Sequence, residues 1–180
     1  MHTKTMATIA GFAAFAAATT ANAGFTTIDF GPQYFKGTPG MVALTDQFEH
    51  LGVRFSSLLP NDNVYWDLGS GLGIPFTIRG RKPPRFVNQN SEYAMRIEFI
   101  DPASIVSISA YDSGGDTDTV LLEAFNAAGD RVSFDTVTST LSQRETLAVV
   151  GEGITSVTIT VTSSSGRGAS IDDLFFYTQN

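Results

Sequence analysis

Two adjacent carboxylates stand inside an apolar run near the end of the chain, in GASIDDLFFYTQN at residues 168–180. If the run is a strand, Ile171, Asp173, Phe175 and Tyr177 share one face, and Asp172, Leu174 and Phe176 share the other. Whichever face packs inward then carries an Asp, and a carboxylate removed from water needs hydrogen bonds, a cation or a proton. The residues leave the partner open between backbone N–H groups, an arginine and a metal ion.

Other chemistry is sparse. The sequence has no cysteine and two histidines, His2 and His50, so a histidine metal site is not available. His50 reads as an exposed surface residue, since nothing near it supplies a triad. No GxSxG elbow occurs, and GSGLG at residues 69–73 lacks the order of a phosphate loop. Glu49, Glu92, Glu98 and Glu123 are available as a glycosidase pair, but Glu98 and Glu123 alternate with apolar residues as outward strand positions, where they serve solubility. Asp112, Asp116 and Asp118 in DSGGDTD lack the EF-hand order and its final Glu, and read as a solvated turn.

The elements that must position these groups are strands. In EYAMRIEFI, Tyr93, Met95, Ile97 and Phe99 alternate with Ala94, Arg96 and Glu98, and in GITSVTITVT, Val157, Ile159 and Val161 point inward with Thr158 and Thr160 outward. Further strands are expected at 25–31, 52–58, 64–68, 75–79, 104–112, 118–126, 131–138 and 144–150, separated by turn signals such as DSGGD and NAAGD. Gly129 suits the left-handed position of a short hairpin loop. About ten strands at this spacing predict an all-β, antiparallel two-sheet β-sandwich of jelly-roll type. The one expected helix is TDQFEHLG, with Thr45 or Asp46 as N-cap and Gly52 as its stop.

Composition narrows the setting. Residues 1–23 carry one Lys, an Ala-rich run and the small-residue pattern Ala21-Asn22-Ala23, which predicts a secretory signal cleaved near Ala23 and one domain over 24–180. The run is short and weakly apolar for a membrane span. The chain carries 11 Lys and Arg against 18 Asp and Glu, a net charge of −7, which disfavours nucleic acid and anionic lipid as partners. The basic stretch IRGRKPPRF reads as a solvated loop. Without disulfides, an exported chain must rely on its core, on oligomerisation or on a bound metal.

FTTIDFG, ALTDQFEHLGVRFSS, VSISAYDSGGDTDTVLLEAFNAAGDRV, GITSVTITV and SIDDLFFY, in this order, resemble the exported bacterial β-sandwich domains found in PEP-CTERM proteins. Those domains are similar to galactose-binding-like jelly rolls, the fold of many carbohydrate-binding modules. The chain stops at Asn180 without the sorting tail, so a released, secreted protein is expected. The resemblance implies a structural calcium between first and last strands. Asp29 lies in the first expected strand and Asp172 and Asp173 in the last, so the three are the expected metal ligands if those strands are neighbours. Three converging carboxylates would repel one another without a cation, and calcium takes oxygen ligands of this kind.

Glycan recognition needs aromatic platforms beside amide, carboxylate or guanidinium groups. NDNVYWDLGSG and GPQYFKG supply them, with Tyr34, Asn63, Tyr65 and Trp66 as the expected ligand-binding residues. The expected function is a secreted, non-catalytic module binding extracellular polysaccharide. The alternatives are a structural protein of the cell surface or matrix, and a small glycan-active enzyme.

Overall fold

The computed structural model describes residues 24–30, 41–58, 63–67, 75–78, 91–112, 117–139, 144–163 and 169–178. Among these residues ten strands form: β1 (Gly24–Ile28), β2 (Met41–Leu44), β3 (Val53–Ser57), β4 (Asn63–Asp67), β5 (Pro75–Ile78), β6 (Ser91–Asp112), β7 (Asp118–Asn126), β8 (Arg131–Ser139), β9 (Arg144–Ser163) and β10 (Ala169–Thr178). Every pairing is antiparallel. The class is the expected one, all-β and sandwiched around a single apolar core.

The jelly-roll winding is visible in the pairings. β7 pairs with β8, β6 with β9 outside that hairpin, and β1 with β10 outside both. A nested antiparallel ribbon of this kind wraps on itself, so that neighbouring windings meet as β10 against β6 and β7 against β9. β2, β4 and β5 make a separate three-stranded sheet, and β3 joins the first half of β6.

Periodicity explains why the ribbon folds over. In β6 the buried residues Met95, Ile97 and Phe99 are odd-numbered, whereas Val106, Ile108 and Ala110 are even-numbered. Between them the register with β9 slips at Glu98/Ala103 and Ala103/Ile105. Extra residues at a bulge bend a strand and exchange its faces. Two segments expected as separate strands, 92–100 and 104–112, are therefore one strand crossing a corner, and the same holds for 144–150 and 153–162 in β9. Before its bend, β9 runs beside β8, where Ala148 N donates to Asp135 Oδ2 at 2.9 Å. The two layers meet inside through Phe99 of β6 and Phe176 of β10, with ring centroids 5.1 Å apart.

Some local expectations are corrected. TDQFEHLG is no α-helix but a single 3-10 turn, Glu49–Leu51, capped by Phe48. Thr45 Oγ1 donates to Asp46 Oδ1 and Thr45 N donates to Gln47 Oε1, and neither Thr45 nor Asp46 provides a side-chain cap. Gly52 ends the turn as expected, at φ +91°. β2 was not expected, because MVAL is too short to show a period. Thr158 faces outward as expected, in a row with Arg96 and Glu123, but it is buried, since β9 lies between β6 and β7 with both neighbours covering it. Asp118 is also buried, not part of a solvated turn, because β7 begins there, flanked by Ser139 and Ser163. Gly129 takes the left-handed conformation predicted for it, at φ +83°, and Asn126 Oδ1 closes the loop by accepting from Ala128 N and Asp130 N at 3.0 and 2.9 Å.

Candidate functional site

Outward positions of three adjacent strands form a cleft of about 460 Å³. β6 contributes Arg96, Glu98 and Phe99, β7 contributes Phe125 and Asn126, the hairpin loop Ala127 and Gly129, and β9 Thr155 and Ser156. Strand register sets the order. Glu98, Ser156 and Phe125 lie in one row across the sheet, and Arg96, Thr158 and Glu123 in the next.

Several of these groups are already committed. Asn126 shapes the hairpin, Thr155 Oγ1 donates to the carbonyl oxygen of Phe125 at 3.4 Å, and Arg131 Nη1 donates to Glu123 Oε1 at 2.7 Å. Arg131 also lies over the Phe134 ring, 4.9 Å from its centroid. Arg54, opposite Glu98 in register, pairs with Glu49. The hydrogen bond and charge of Glu49 hold the Arg54 guanidinium above its ordinary pKa, and the charge of Glu98 adds to this.

Arg96 differs. Among the described residues it makes no ion pair, and its Nε is buried without a hydrogen-bond partner. A guanidinium in this state offers its donors to whatever enters the cleft. Beside it stand the exposed carboxylate of Glu98, the hydroxyl of Ser156 and the half-buried ring of Phe125. Sequence reasoning had assigned Glu98 to solubility and left Arg96 without a role. The available signal was the row of outward Arg, Glu and Ser on strands that would have to be adjacent.

The expected metal residues are brought together only in part. β1 and β10 are neighbours, with Gly24 to Ile28 opposite Thr178 to Leu174, so Asp29 and Asp173 are the next residues along their strands. The dilemma posed by the Asp pair is resolved by a bulge. Register with β6 shifts between Asp172 and Phe175, and Asp173 adopts a left-handed φ of +44°. Ile171, Leu174 and Phe176 are consequently all buried, while Asp172 and Asp173 both stay half-exposed. Asp172 Oδ1 accepts from Asp173 N at 2.9 Å. Arg144 reaches from β9 across β6, pairing with Asp173 and donating to Ser109 Oγ at 2.9 Å.

The charge of Asp173 is thus met by a guanidinium. Among the described residues no three His, Cys, Asp or Glu are grouped to hold a metal ion. Asp29, Asp172 and Asp173 as described do not by themselves make a calcium donor set.

None of the expected ligand-binding residues is among the described residues that line the cleft. Asn63, Tyr65 and Trp66 lie on β4, the middle strand of the smaller sheet, opposite Ile78, Phe76 and Pro75 of β5. Tyr34 lies outside the described residues, as do the segment 1–23 and the basic stretch at 79–85. His50 is exposed, as expected. No described helix is long and apolar enough to cross a membrane.

No protein-family model and no curated protein matches the chain. Among solved structures it is similar to a carbohydrate-binding module that recognises mannan, at 14% identity over 89% of this chain and 100% of that one, with a TM-score of 0.47. It is also similar to the family 11 carbohydrate-binding module of a cellulosomal cellulase from Clostridium thermocellum, at 9% identity over 88% of this chain and 97% of that one, TM-score 0.40. An arabinose-bound α-L-arabinofuranosidase matches 83% of this chain at 8% identity and TM-score 0.48, and this chain spans 25% of that enzyme. Several of the structural neighbours are thus carbohydrate-binding modules.

Proposed function

We propose that the chain is a non-catalytic glycan-binding module whose sugar site is the cleft between β6, β7 and β9. The observation that carries this reading is the guanidinium of Arg96, which among the described residues makes no ion pair, beside Glu98, Ser156 and Phe125. A sugar presents hydroxyls that both donate and accept and an apolar ring face, and these four groups supply a donor, an acceptor, a hydroxyl and an aromatic ring. The volume, about 460 Å³, falls within the usual range for small-ligand sites, roughly 300–1,000 Å³. Binding is favoured over hydrolysis because glycoside cleavage in most families requires two carboxylates flanking the bond, and among the described residues Glu98 is the one carboxylate of the cleft lining. Export after cleavage near Ala23 belongs to the same reading, since it would place the module among extracellular polysaccharides.

The test is retention on a panel of immobilised neutral polysaccharides, with released sugar assayed in parallel. Retention without product is expected. Arg96→Ala should weaken binding by about 10-fold or more, as loss of a charged hydrogen-bonding group costs about 1.5–3 kcal/mol, while Trp66→Ala, away from the cleft, should change it less than about twofold. Failure to bind any glycan would overturn the reading. Loss of binding in Trp66→Ala with Arg96→Ala unaffected would move the site to β4.

A structural calcium at Asp29, Asp172 and Asp173 is the second half of the proposal, with backbone carbonyls and water completing the shell. A cation bound only by the native state raises its stability by mass action. Millimolar calcium should therefore raise the Tm by several degrees and EDTA should reverse the rise, read by calorimetry. A Tm indifferent to both leaves Asp173 to Arg144 and Asp172 to its backbone hydrogen bond.

A further inference from the structure

We infer that the chain self-associates through β1, with a second copy pairing antiparallel along the free edge of that strand. β1 ends the larger sheet, and among the described residues nothing pairs with its second edge. Natural edge strands are commonly protected by lysine, proline, a bulge or an inward charge. β1, with the sequence GFTTI, has none of these, and its register with β10 runs without a break from Gly24 to Ile28. An antiparallel contact between two copies of one strand has two-fold symmetry and closes on itself, so it yields a dimer and not a fibre.

The outer face beside that edge is unusually apolar. Phe25, Tyr177, Ile105 and Val150 follow one another across four strands in a single row. Phe25 is 69% exposed and Val150 65% exposed. The Phe25 ring stacks against Phe175 at 5.4 Å and lies 4.6 Å from Tyr177. Charge selects the occupant. Two copies of a chain with net charge −7 repel, so they can meet only where charge is absent, and Phe25, Thr26, Thr27, Ile105, Val150, Phe175 and Tyr177 carry none. Each aromatic side chain buries about 150–250 Å², so the contact stands near the lower limit of specific interfaces, roughly 1,000 Å² in total.

Every described element lies at or after Gly24, so the experiment uses both the full chain and the chain starting at Gly24. Sedimentation velocity over about 1 μM to 1 mM should show a monomer–dimer equilibrium with a Kd of about 10–100 μM, as a small, uncharged contact allows. Phe25→Lys and Thr27→Lys, both at exposed positions, should each raise the Kd at least about 10-fold by placing charge at the edge. Ile100→Lys, at an exposed apolar position away from β1, should leave it unchanged. A chain that stays monomeric to 1 mM overturns the inference, as does a dimer broken by Ile100→Lys but not by the β1 variants. Neither result bears on glycan binding in the cleft.

Discussion

Removing Leu174 is expected to unfold the protein or cost it several kcal/mol, while removing its neighbour Asp173 is expected to change stability by no more than about 1 kcal/mol. The contrast follows from the bulge in β10. Opposite β10, the buried residues of β6 are Val106, Ile108 and Ala110, and Ile171 faces Ala110 while Phe176 faces Val106. Four residues, Asp172 to Phe175, span a stretch where β6 supplies three, Ser107 to Ser109.

Without Asp173, β10 alternates regularly, with Ile171, Leu174 and Phe176 all inward. That deletion relieves the left-handed backbone, worth about 1–2 kcal/mol for a residue with a Cβ, and loses the pair with Arg144. The pair is worth about 0–1 kcal/mol, because both side chains are more than a third exposed. Without Leu174, by contrast, the same regular strand turns Asp173 toward the core in place of a fully buried leucine. The loss is then a large apolar side chain, about 2–5 kcal/mol, with an uncompensated carboxylate added. Urea unfolding of the two deletions checks this. Equal losses in both would show that the bulge does not set the faces of β10.

Phe48→Ala should cost about 3–5 kcal/mol, the range for deleting a buried aromatic ring. Phe48 is fully buried, and its ring meets Phe30 and Phe55 edge to face, with centroids 5.5 and 5.7 Å away. Phe30 and Phe55 are themselves 5.7 Å apart, so the three rings close a cluster beneath the 3-10 turn. The backbone of Phe48 also carries the turn, its carbonyl oxygen accepting from Leu51 N and Val53 N at 2.9 and 3.3 Å. A void here cannot collapse without displacing β3, where Phe55 sits. Calorimetry should show a Tm lower by about 6–20 °C, given roughly 2–4 °C per kcal/mol for a domain of this size. Phe48→Leu, which keeps most of the volume, should cost much less. A loss under about 1 kcal/mol for Phe48→Ala would mean that the cluster is peripheral to the cooperative core.

Much of this was open to a reader of the residues. Met95, Ile97 and Phe99 alternate in EYAMRIEFI, Val157, Ile159 and Val161 alternate in GITSVTITV, and all six are buried. The hairpin at Asn126–Arg131 could be read from Gly129 and its flanking turn residues because turn chemistry is local. The bends in β6 and β9 were not legible. They show only as a change of parity between Phe99 and Val106, and the intervening IDPAS reads equally well as a turn between two strands. The Asp pair misled for a similar reason. Strict alternation admits no extra residue, and a bulge is recognised only against the partner strand.

The site divides along the same line. Composition and periodicity alone determined that the chain is an all-β antiparallel sandwich and which side chains alternate between the two faces of its regular strands. Those are properties of residues a few positions apart. Tertiary structure alone decided that Arg96, Glu98, Ser156 and Phe125 share one cleft, and that Arg144 answers Asp173. These groups lie about 30 to 60 positions apart in the chain and meet only because β9 runs beside β8 and then settles between β6 and β7. That choice rests on which strands bury the most apolar surface together, a sum over the whole core that no short stretch of residues contains.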